Sequence, residues 1–496
     1  MMNTKSKDIG YYYEKFKAFL LVFLMLLCMV QVGILWSSQS GSFPISFLST
    51  FFPGSKTTTQ FSIEDSKSDY LLPHRVAIST GFDGEHYIIP NASTAYNTLW
   101  NGAKLYLSQA LGTRPKQTQL FSEDAWGTLV AKKPYSFEFN TQIPIDIIKW
   151  VLNLKISDGE GLSSVYKIVI CPDDPDNGYS DTLYIRDDKY IYTYDVPNIK
   201  GNALSKDEFK SIYTKQQSNA NAKNYKMAIE IFINSPISQD LLLPFTKSTE
   251  RYADITCIPF PGLDVQTYSI SDYDEIAKEL FGQDRNDYDP DVDVNGSAVF
   301  KKKDSVYRLY KNSIVEYKFT GNQGTIEKPK VLEAYKKAIG FIMESNFRSD
   351  LSIYLKSIKE GQNSYIFNFD YAISLGDENG EMPILLKNYE IPNSSNQVDS
   401  SISIEASSKR VLHCEWVALS FKVGKSLESY DWTFADMHAK VLKAYTELAK
   451  KELYAKDFGI YYVLTNPKIQ DHIITPSFVL FTKDGSYDIP MKGNNK

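Results

Sequence analysis

The sequence predicts an α+β protein, with a single N-terminal transmembrane helix followed by a multi-domain ectodomain of mainly antiparallel sheets with covering helices. Short stretches in which apolar and polar residues alternate recur along most of the chain, and this period of two is typical of strands. Fewer stretches carry apolar residues at helical spacing, so strands outnumber helices. An aromatic content of 14% suits strand packing, and 496 residues are enough for two or three folded units.

The segment that predicts the membrane helix is residues 18–36, a run of 19 residues without a charge. A helix needs roughly 20 apolar residues to cross a bilayer. Four lysines precede the run, and positive residues favour the cytoplasmic side, so residues 1–17 are expected in the cytoplasm and the rest of the chain outside the cell. A cleaved signal peptide, with a weak small-residue site at 38–40, is the alternative, but the run is longer than a typical signal core.

Three residues of this predicted helix suggest contact with another membrane helix: Cys28, Gln31 and Gly33. The amide of Gln31 cannot be satisfied by lipid, and Gly33 allows a neighbouring backbone to approach closely. The alternative is that Gln31, near the outer end, reaches headgroup water. Both interpretations stay open at the level of sequence.

The composition divides the remaining chain into five parts, each of which is predicted from a change in polarity or pattern. They are a tether at residues 37–68, an N-terminal α+β domain at 69–283, an acidic linker at 284–296, a middle α+β domain at 297–425, and a C-terminal α+β region at 426–496. Two polar insertions, 197–224 and 284–293, are expected to be solvated.

In the N-terminal domain, the pattern predicts one helix among strands. A strand at residues 75–79 precedes a helix that begins near Ser93 and ends at Gly112, with Tyr96, Trp100, Ala103, Tyr106 and Ala110 on one face. The predicted strands that follow are 135–139, 166–170, and a hairpin of 182–185 with 190–194.

The second half shows the same mixture. The predicted elements are a hairpin of residues 306–310 with 314–319, a helix opened by Pro329, strands at 365–373, 382–386, 402–405 and 411–421, a helix with Met437, Val441, Ala444 and Leu448 on one face, and a final hairpin of 478–481 with 487–489. The Asp484-Gly485 pair suits the tight turn of that hairpin.

Charge and cysteine content exclude two classes of function. The formal net charge is −6, and the four early lysines leave the remainder still more acidic, so nucleic acid is not expected as a partner. Outside the apolar run, the three cysteines Cys171, Cys257 and Cys414 are widely spaced, which favours neither a disulfide framework nor paired zinc ligands. Cys414 is predicted to be a buried, small apolar group on a strand.

Motifs for catalysis or metal binding are incomplete. Residues 291–296 fit the first half of a calcium loop, but Lys302 stands where the bidentate glutamate is needed, so an Asx-rich turn is preferred. Residues 424–426 (Gly-Lys-Ser) match the end of a phosphate loop, but Leu419 occupies the position of its first glycine. We therefore assign no catalytic residue, cofactor or metal ligand.

Several phrases of the sequence resemble the YycH family of Gram-positive bacteria. They are residues 72–78 (LPHRVAI), 135–139 (YSFEF) leading into 143–145, 166–170 (YKIVI), and, near the end, 460–463, 475–480 and 484–487, which also resemble the related YycI. The resemblance implies a single-pass extracytoplasmic protein that partners a YycI-like companion and modulates a WalK-type (YycG) sensor histidine kinase of the WalK/WalR two-component system in cell-wall homeostasis. It also implies that the transmembrane helix carries part of the kinase contact, and it transfers no catalytic residue.

The function predicted from the sequence is therefore a non-enzymatic, membrane-anchored regulator that acts through protein–protein contacts and biases a two-state kinase. Its expected partners are the sensor kinase, the YycI-like protein and the lipid bilayer. The alternative is an extracytoplasmic cell-envelope enzyme or a module that binds an envelope polymer, because separations between carboxylates are invisible in sequence.

Overall fold

The computed structural model of the protein describes residues 17 and 20 and, between residues 63 and 491, every position except 131, 133–134, 155–160, 172–181, 197–203, 205, 219–224, 232–236, 245–247, 260–275, 279, 282–285, 294–296, 311, 323–327, 346–350, 376–379, 392–396, 447–453 and 466–472. The chain divides into two compact units, Met1–Phe61 and Ser62–Lys496.

In the first unit, the described residues Lys17 and Leu20 are helical. Among the described residues, no helix combines the length and apolar character that crossing a membrane requires. Apart from Leu20, the predicted transmembrane residues 18–36 lie outside the described part of the chain, as does most of the predicted tether at 37–68.

Eight helices of the second unit are described over their full length, several of them only one or two turns long, and the described residues 276–278 and 280–281 are helical as well. The eight helices are α1 (Ile63–Ser66), α2 (Thr94–Ala110), α3 (Glu123–Val130), α4 (Ile145–Val151), α5 (Lys206–Ser218), α6 (Ala228–Ile231), α7 (Val331–Glu344) and α8 (Phe434–Ala444), with a 3-10 turn at Lys67–Tyr70. The long helix α2 begins with a proper N-cap, since the Ser93 side chain accepts a hydrogen bond from the backbone N–H of Tyr96.

The described strands are β1 (Arg75–Ser79), β2 (His86–Ile89), β3 (Gln117–Leu120), β4 (Tyr135–Pro144), β5 (Ser164–Cys171), β6 (Thr182–Arg186), β7 (Tyr190–Asp195), β8 (Tyr225–Met227), β9 (Leu242–Pro244), β10 (Ser248–Pro259), β11 (Asp289–Val292), β12 (Ala298–Lys302), β13 (Ser305–Leu309), β14 (Ile314–Phe319), β15 (Ser352–Glu360), β16 (Tyr365–Ser374), β17 (Glu381–Lys387), β18 (Tyr389–Glu390), β19 (Gln397–Val398), β20 (Ile402–Ala406), β21 (Val411–Val417), β22 (Leu419–Trp432), β23 (Ala455–Thr465), β24 (Ile473–Ile474), β25 (Pro476–Thr482) and β26 (Ser486–Pro490).

These strands form four sheets. The N-terminal sheet has nine strands in the order β3-β7-β6-β5-β4-β1-β2-β8-β9, and the large sheet has twelve, in the order β11-β12-β13-β14-β21-β20-β16-β17-β23-β25-β26 with β15 beside β16. A small sheet has the order β22-β10-β24, and β18 pairs with β19. Among the described strands, β17 and β23 form the one parallel pair, so the predicted class of α+β with antiparallel sheets is confirmed.

The N-terminal sheet is buried on both faces. One face joins the main core, where Trp100 of α2 packs against Phe137 and Phe139 of β4. The other face lies under α3, where Trp126 and Val169 belong to a separate apolar cluster. This explains why every residue from 135 to 139 is buried although the sequence alternates in polarity there.

Most elements of the predicted pattern are found, with three differences. The polar insertion 197–224 contains α5, whose Ile212 is buried in the core. The acidic run predicted as a linker contains β11, whose four side chains are all exposed because it is the edge strand of the large sheet. The predicted single strand 411–421 is divided at Ala418, since β21 belongs to the large sheet and β22 to the small one.

The division into domains stays a prediction. The main core cluster includes residues of both the predicted N-terminal and middle domains, such as Trp150 and Tyr335, whose rings meet edge to face at 6.2 Å. The predicted boundary between residues 425 and 426 falls inside β22.

Candidate functional site

A row of buried and half-buried charged side chains crosses four adjacent strands of the N-terminal sheet. The pairing registers place Arg75 of β1 opposite Glu138 of β4, Glu138 opposite Lys167 of β5, and Lys167 opposite Arg186 of β6. Paired residues on neighbouring strands point to the same face, so the four side chains stand side by side. Two carboxylates from other segments complete what we call the charge ladder, which comprises Arg75, Glu138, Lys167, Arg186, Asp240 and Asp457.

Each cation of the charge ladder lies against a carboxylate. Arg75 contacts Glu138 (Nη1–Oε2, 3.0 Å) and Asp457 (Nη2–Oδ1, 2.6 Å). Lys167 contacts Glu138 at 3.2 Å and Asp240 at 2.5 Å. The Arg186 Nη1 atom lies 3.6 Å from Asp240, too far for a hydrogen bond but close enough for attraction. Three cations and three anions therefore neutralise one another in a place where unpaired charges would be costly.

The turn before β9 positions Asp240. Its carboxylate accepts a hydrogen bond from the hydroxyl of Ser238, at 2.9 Å, and only 4% of the residue is exposed. The backbone N–H of Ser238 donates to the carbonyl of Ala455, at the start of β23. This bond brings the first residues of β23, and with them Asp457, against the N-terminal sheet.

A second anchor beside the charge ladder involves Glu123, the first residue of α3. Its carboxylate accepts hydrogen bonds from the Gln239 backbone N–H at 3.2 Å and from the Tyr454 hydroxyl at 3.0 Å. It also lies 3.2 Å from the Ser238 hydroxyl oxygen, whose single proton is donated to the closer Asp240. An acidic residue in the first turn of a helix is also favoured by the helix dipole. Glu123 thus ties the turn at 238–240 to the residue before β23.

Aromatic rings surround the last cation of the row. The guanidinium carbon of Arg186 lies 3.6 Å from the centre of the Phe121 ring, 5.5 Å from that of Tyr166 and 5.7 Å from that of Trp126. Such contacts stabilise a guanidinium group that has lost its water.

The pKa shifts agree with mutual pairing. Burial by itself opposes ionisation of Asp240, but the charges of Lys167 and Arg186 lower its pKa to about 2. Burial likewise opposes the charge on Lys167, and the carboxylates of Asp240 and Glu138 overcome this and raise its pKa. For Asp457 the charge of Arg75 outweighs burial and lowers the pKa. All these groups are held in their charged forms at neutral pH.

This arrangement suits a structural coupling rather than proton transfer. A general acid or base needs a pKa near the working pH, whereas the pKa values of Asp240, Lys167 and Asp457 are moved away from it. The contact of Arg75 with Asp457 instead joins positions 382 residues apart in sequence. The charge ladder is therefore a specific clamp between the N-terminal sheet and the strand β23 of the large sheet.

Sequence reasoning missed this cluster, although a signal was present. Lys167 interrupts an otherwise apolar strand stretch and Glu138 stands between two phenylalanines, and a charge that is buried in this way requires a partner. The partners Asp240 and Asp457 lie in segments with no distinguishing pattern. Arg75, Glu138 and Lys167 all fall within the phrases that carry the YycH resemblance.

The residues singled out from sequence have other surroundings. Cys28, Gln31 and Gly33 lie outside the described residues. The side chains of Cys171, Cys257 and Cys414 are buried. In the half calcium loop, Asp291 pairs with Lys301 at 2.5 Å and Asp293 with Arg308 at 3.3 Å. Within the described part of the chain, no group of three or more metal-ligating side chains is found.

A smaller polar cluster lies on the large sheet around Glu316. Its carboxylate accepts hydrogen bonds from Tyr310 and Arg308 and contacts His413 Nε2 at 3.2 Å. Hydrogen bonding from His413 is the main cause that lowers the pKa of Glu316 to about 2, and the same contact raises the pKa of His413. A buried pair of His86 and Glu230, at 3.1 Å, fixes the segment after β8 in a similar way.

Comparison with solved structures then decides the fold. The crystal structure of YycH from Bacillus subtilis matches 85% of this chain and 96% of its own length, with a TM-score of 0.53 and 13% identity. This chain has a YycH-like fold. A structure of an uncharacterized protein from Eubacterium rectale matches 49% of this chain and 82% of its own, with a TM-score of 0.26 and 10% identity. No family model and no curated protein sequence matches the chain.

The sequence segments that resemble the YycH family lie in or beside strands of this fold. The segment 72–78 includes the first four residues of β1, and the segments 135–139 and 166–170 lie in β4 and β5. These three neighbouring strands carry Arg75, Glu138 and Lys167 of the charge ladder. The phrases near the C-terminus lie in or beside β23, β25 and β26.

Proposed function

We propose that this protein is a non-enzymatic, membrane-anchored regulator that modulates the sensor histidine kinase of a cell-wall two-component system through protein–protein contacts. The single observation that carries the proposal is the YycH-like fold over 85% of the chain. Its partners are a WalK-like kinase and a YycI-like companion. Its location is the cell membrane, with a cytoplasmic N-terminus and an extracytoplasmic C-terminal part.

The chemistry of the described residues supports a role in contact rather than catalysis. Each cation of the ladder lies against a carboxylate of the ladder, and these contacts hold strands together. Burial raises the pKa of Cys257 to about 12, which keeps this thiol protonated and a poor nucleophile.

The apolar run at residues 18–36, preceded by lysines, supports the anchor and its orientation. In this proposal the regulator contacts one state of the kinase better than the other, because a partner shifts a two-state equilibrium only by its differential affinity. Contacts made by the membrane helix and by the folded unit add to that difference.

Affinity purification from crosslinked membranes tests the proposal. The tagged full-length chain is recovered in detergent and its partners are identified by mass spectrometry. We expect a sensor histidine kinase and a YycI-like protein to be enriched over a control with an unrelated single-pass protein. Consistent failure to recover a kinase contradicts the proposal, and release of soluble fragments from purified cell walls by the chain favours an envelope enzyme instead.

The membrane part of the contact has its own test. Gln31→Leu and Gly33→Leu keep the segment apolar, so the anchor is retained while the polar and small contact surface is removed. We expect less kinase to be recovered with these variants than with the matched apolar exchange Val30→Leu. Equal recovery with all three removes these residues from the proposed contact.

A further inference from the structure

The outer strand of the small sheet, β22, has one edge that is unpaired among the described strands. In the order β22-β10-β24 it pairs with β10 and with no other described strand. Residues 420–429, which we call the edge segment, are exposed throughout except for the half-buried Phe421. A long strand with unpaired backbone groups is a template for pairing with another chain.

The edge segment carries apolar side chains that continue a buried face. Across the β10–β22 pair, Phe421 is opposite Cys257, Val423 opposite Ile255, and Leu427 opposite Ala253. The three residues of β10 are buried, whereas Val423 is 36% exposed and Leu427 48% exposed. A further strand beside β22 would cover these side chains, since side chains of neighbouring strands pack against one another.

Charge along β22 identifies the strand that fits. Lys422 and Lys425 lie in its first half, and Glu428 and Asp431 lie in its second half. An antiparallel copy of the same strand places the positive half of each strand beside the negative half of the other, whereas a parallel copy places like charges together. The sequence of β22 is therefore complementary to itself in the antiparallel direction.

A carboxylate beside the edge segment supports this reading. The Oδ1 atom of Asp254, in β10, is buried and accepts no hydrogen bond from the described residues. Burial, and then the charge of Glu428, raises the pKa of Asp254, so the two acidic groups repel each other. A lysine from a second chain would give Asp254 a hydrogen-bond donor and would reduce its repulsion with Glu428.

We propose that the edge segment binds the edge segment of a second copy of this chain, as an antiparallel pair of strands related by a two-fold axis. Such an interface is self-complementary, as closed dimers require, and it joins two small sheets into one. Two features of this edge disfavour pairing with most strands: the bulge between Ala253 and Ile255, and the lysines of β22. An antiparallel copy of β22 is not disfavoured in this way, because its acidic residues lie opposite those lysines. The inference is independent of the proposed kinase contact.

Charge reversal tests the proposal on the full-length chain in detergent. One variant carries Lys422→Glu and Lys425→Glu, a second carries Glu428→Lys and Asp431→Lys, and a third carries all four changes. Sedimentation measures self-association. We expect each two-site variant to associate about tenfold or more weakly than the natural chain, because like charges then meet across the interface. The four-site variant restores complementarity and should associate like the natural chain.

The decisive experiment mixes the two two-site variants. The two-site variants, each impaired alone, should form mixed dimers, because the acidic strand then meets the basic one. Such mixed dimers also prove that both variants are folded. A natural chain that stays monomeric at all concentrations, or variants that associate just as it does, overturns the proposal.

Crosslinking places the interface. In a background with Cys28→Ala, the three described cysteines are buried and a new thiol can be introduced at the exposed Ser426. Oxidation should link Ser426→Cys chains into dimers, while the equally exposed control Ser218→Cys in α5 stays uncrosslinked. Linkage of both to the same extent contradicts a specific edge contact.

Discussion

Removal of one charge from the charge ladder should destabilise the protein strongly. Asp240→Asn keeps the shape of the side chain and its acceptor oxygen but removes the charge. Lys167 then retains only Glu138 as a counter-ion, and Arg186 loses its nearest carboxylate. Breaking a buried ion pair on one side typically costs about 3–5 kcal/mol, because the remaining charge is left uncompensated.

The pKa of Asp240 gives an independent magnitude. Its value falls from the ordinary 3.8 to about 2, which corresponds to about 2 kcal/mol of stabilisation at neutral pH. Because the folded pKa is depressed, this contribution is present above pH ~4 and is lost as the pH falls towards 2. The difference in the free energy of unfolding between the natural chain and Asp240→Asn should therefore narrow across that window.

Chemical denaturation followed by both tryptophan fluorescence and circular dichroism measures the effect, and agreement of the two signals checks that unfolding is cooperative. The control is Lys116→Met, which breaks an exposed pair with Asp195 at 2.9 Å and should change stability by less than about 1 kcal/mol. If Asp240→Asn behaves like this control, the ladder charges do not compensate one another and the interpretation is refuted.

Three further predictions concern other parts of the fold. His413→Gln should be less stable than the natural chain below pH ~6.5, because the contact of His413 with Glu316 is strongest when His413 is protonated. The difference in the free energy of unfolding should shrink as the pH rises through the raised pKa of His413, and a difference that does not depend on pH contradicts this. Gly380→Ala should lower the free energy of unfolding by about 1–2 kcal/mol, since φ is +68° and the new Cβ would lie 2.8 Å from the backbone oxygen of Asn91. The control Gly112→Ala should be tolerated, and equal denaturation midpoints for the two variants would count against the tight contact at Gly380. The three described thiols are buried, so a thiol reagent should modify them only after denaturation, and rapid reaction of the folded chain would refute their burial.

Local pattern predicted those elements whose partners are close in sequence. The hairpin of β6 and β7 and that of β25 and β26 each combine alternating strands with a short turn, and both were found. Helix α2 was also predicted, because Tyr96, Trp100 and Ala103 repeat at helical spacing and Ser93 provides the cap.

The sequence did not indicate which strands pair with each other when the two are far apart along the chain. The acidic run containing β11 has exposed side chains, so composition indicates a linker, yet its backbone pairs with β12. At Ala418 the apolar run of residues 416–419 continues without a break while the chain passes from one sheet to another. Backbone pairing leaves no mark in a single sequence when the side chains face water.

The charge ladder shows why the distant partners are charged rather than apolar. A slip of one residue in any of its strands would turn a charged side chain to the opposite face and leave its neighbours buried without counter-ions. Apolar residues in the same row would tolerate such a slip at a smaller cost. The ladder contacts therefore form only when several features are correct at once, namely the register of four strands, the turn at Asp240 and the start of β23. The exchange of Lys167 and Asp240 for Met and Leu removes both members of one buried pair, so it should be less destabilising than Asp240→Asn, in which Lys167 keeps its charge. Arg186 loses its nearest carboxylate in both variants, so the difference between them in the free energy of unfolding reports the unpaired charge of Lys167.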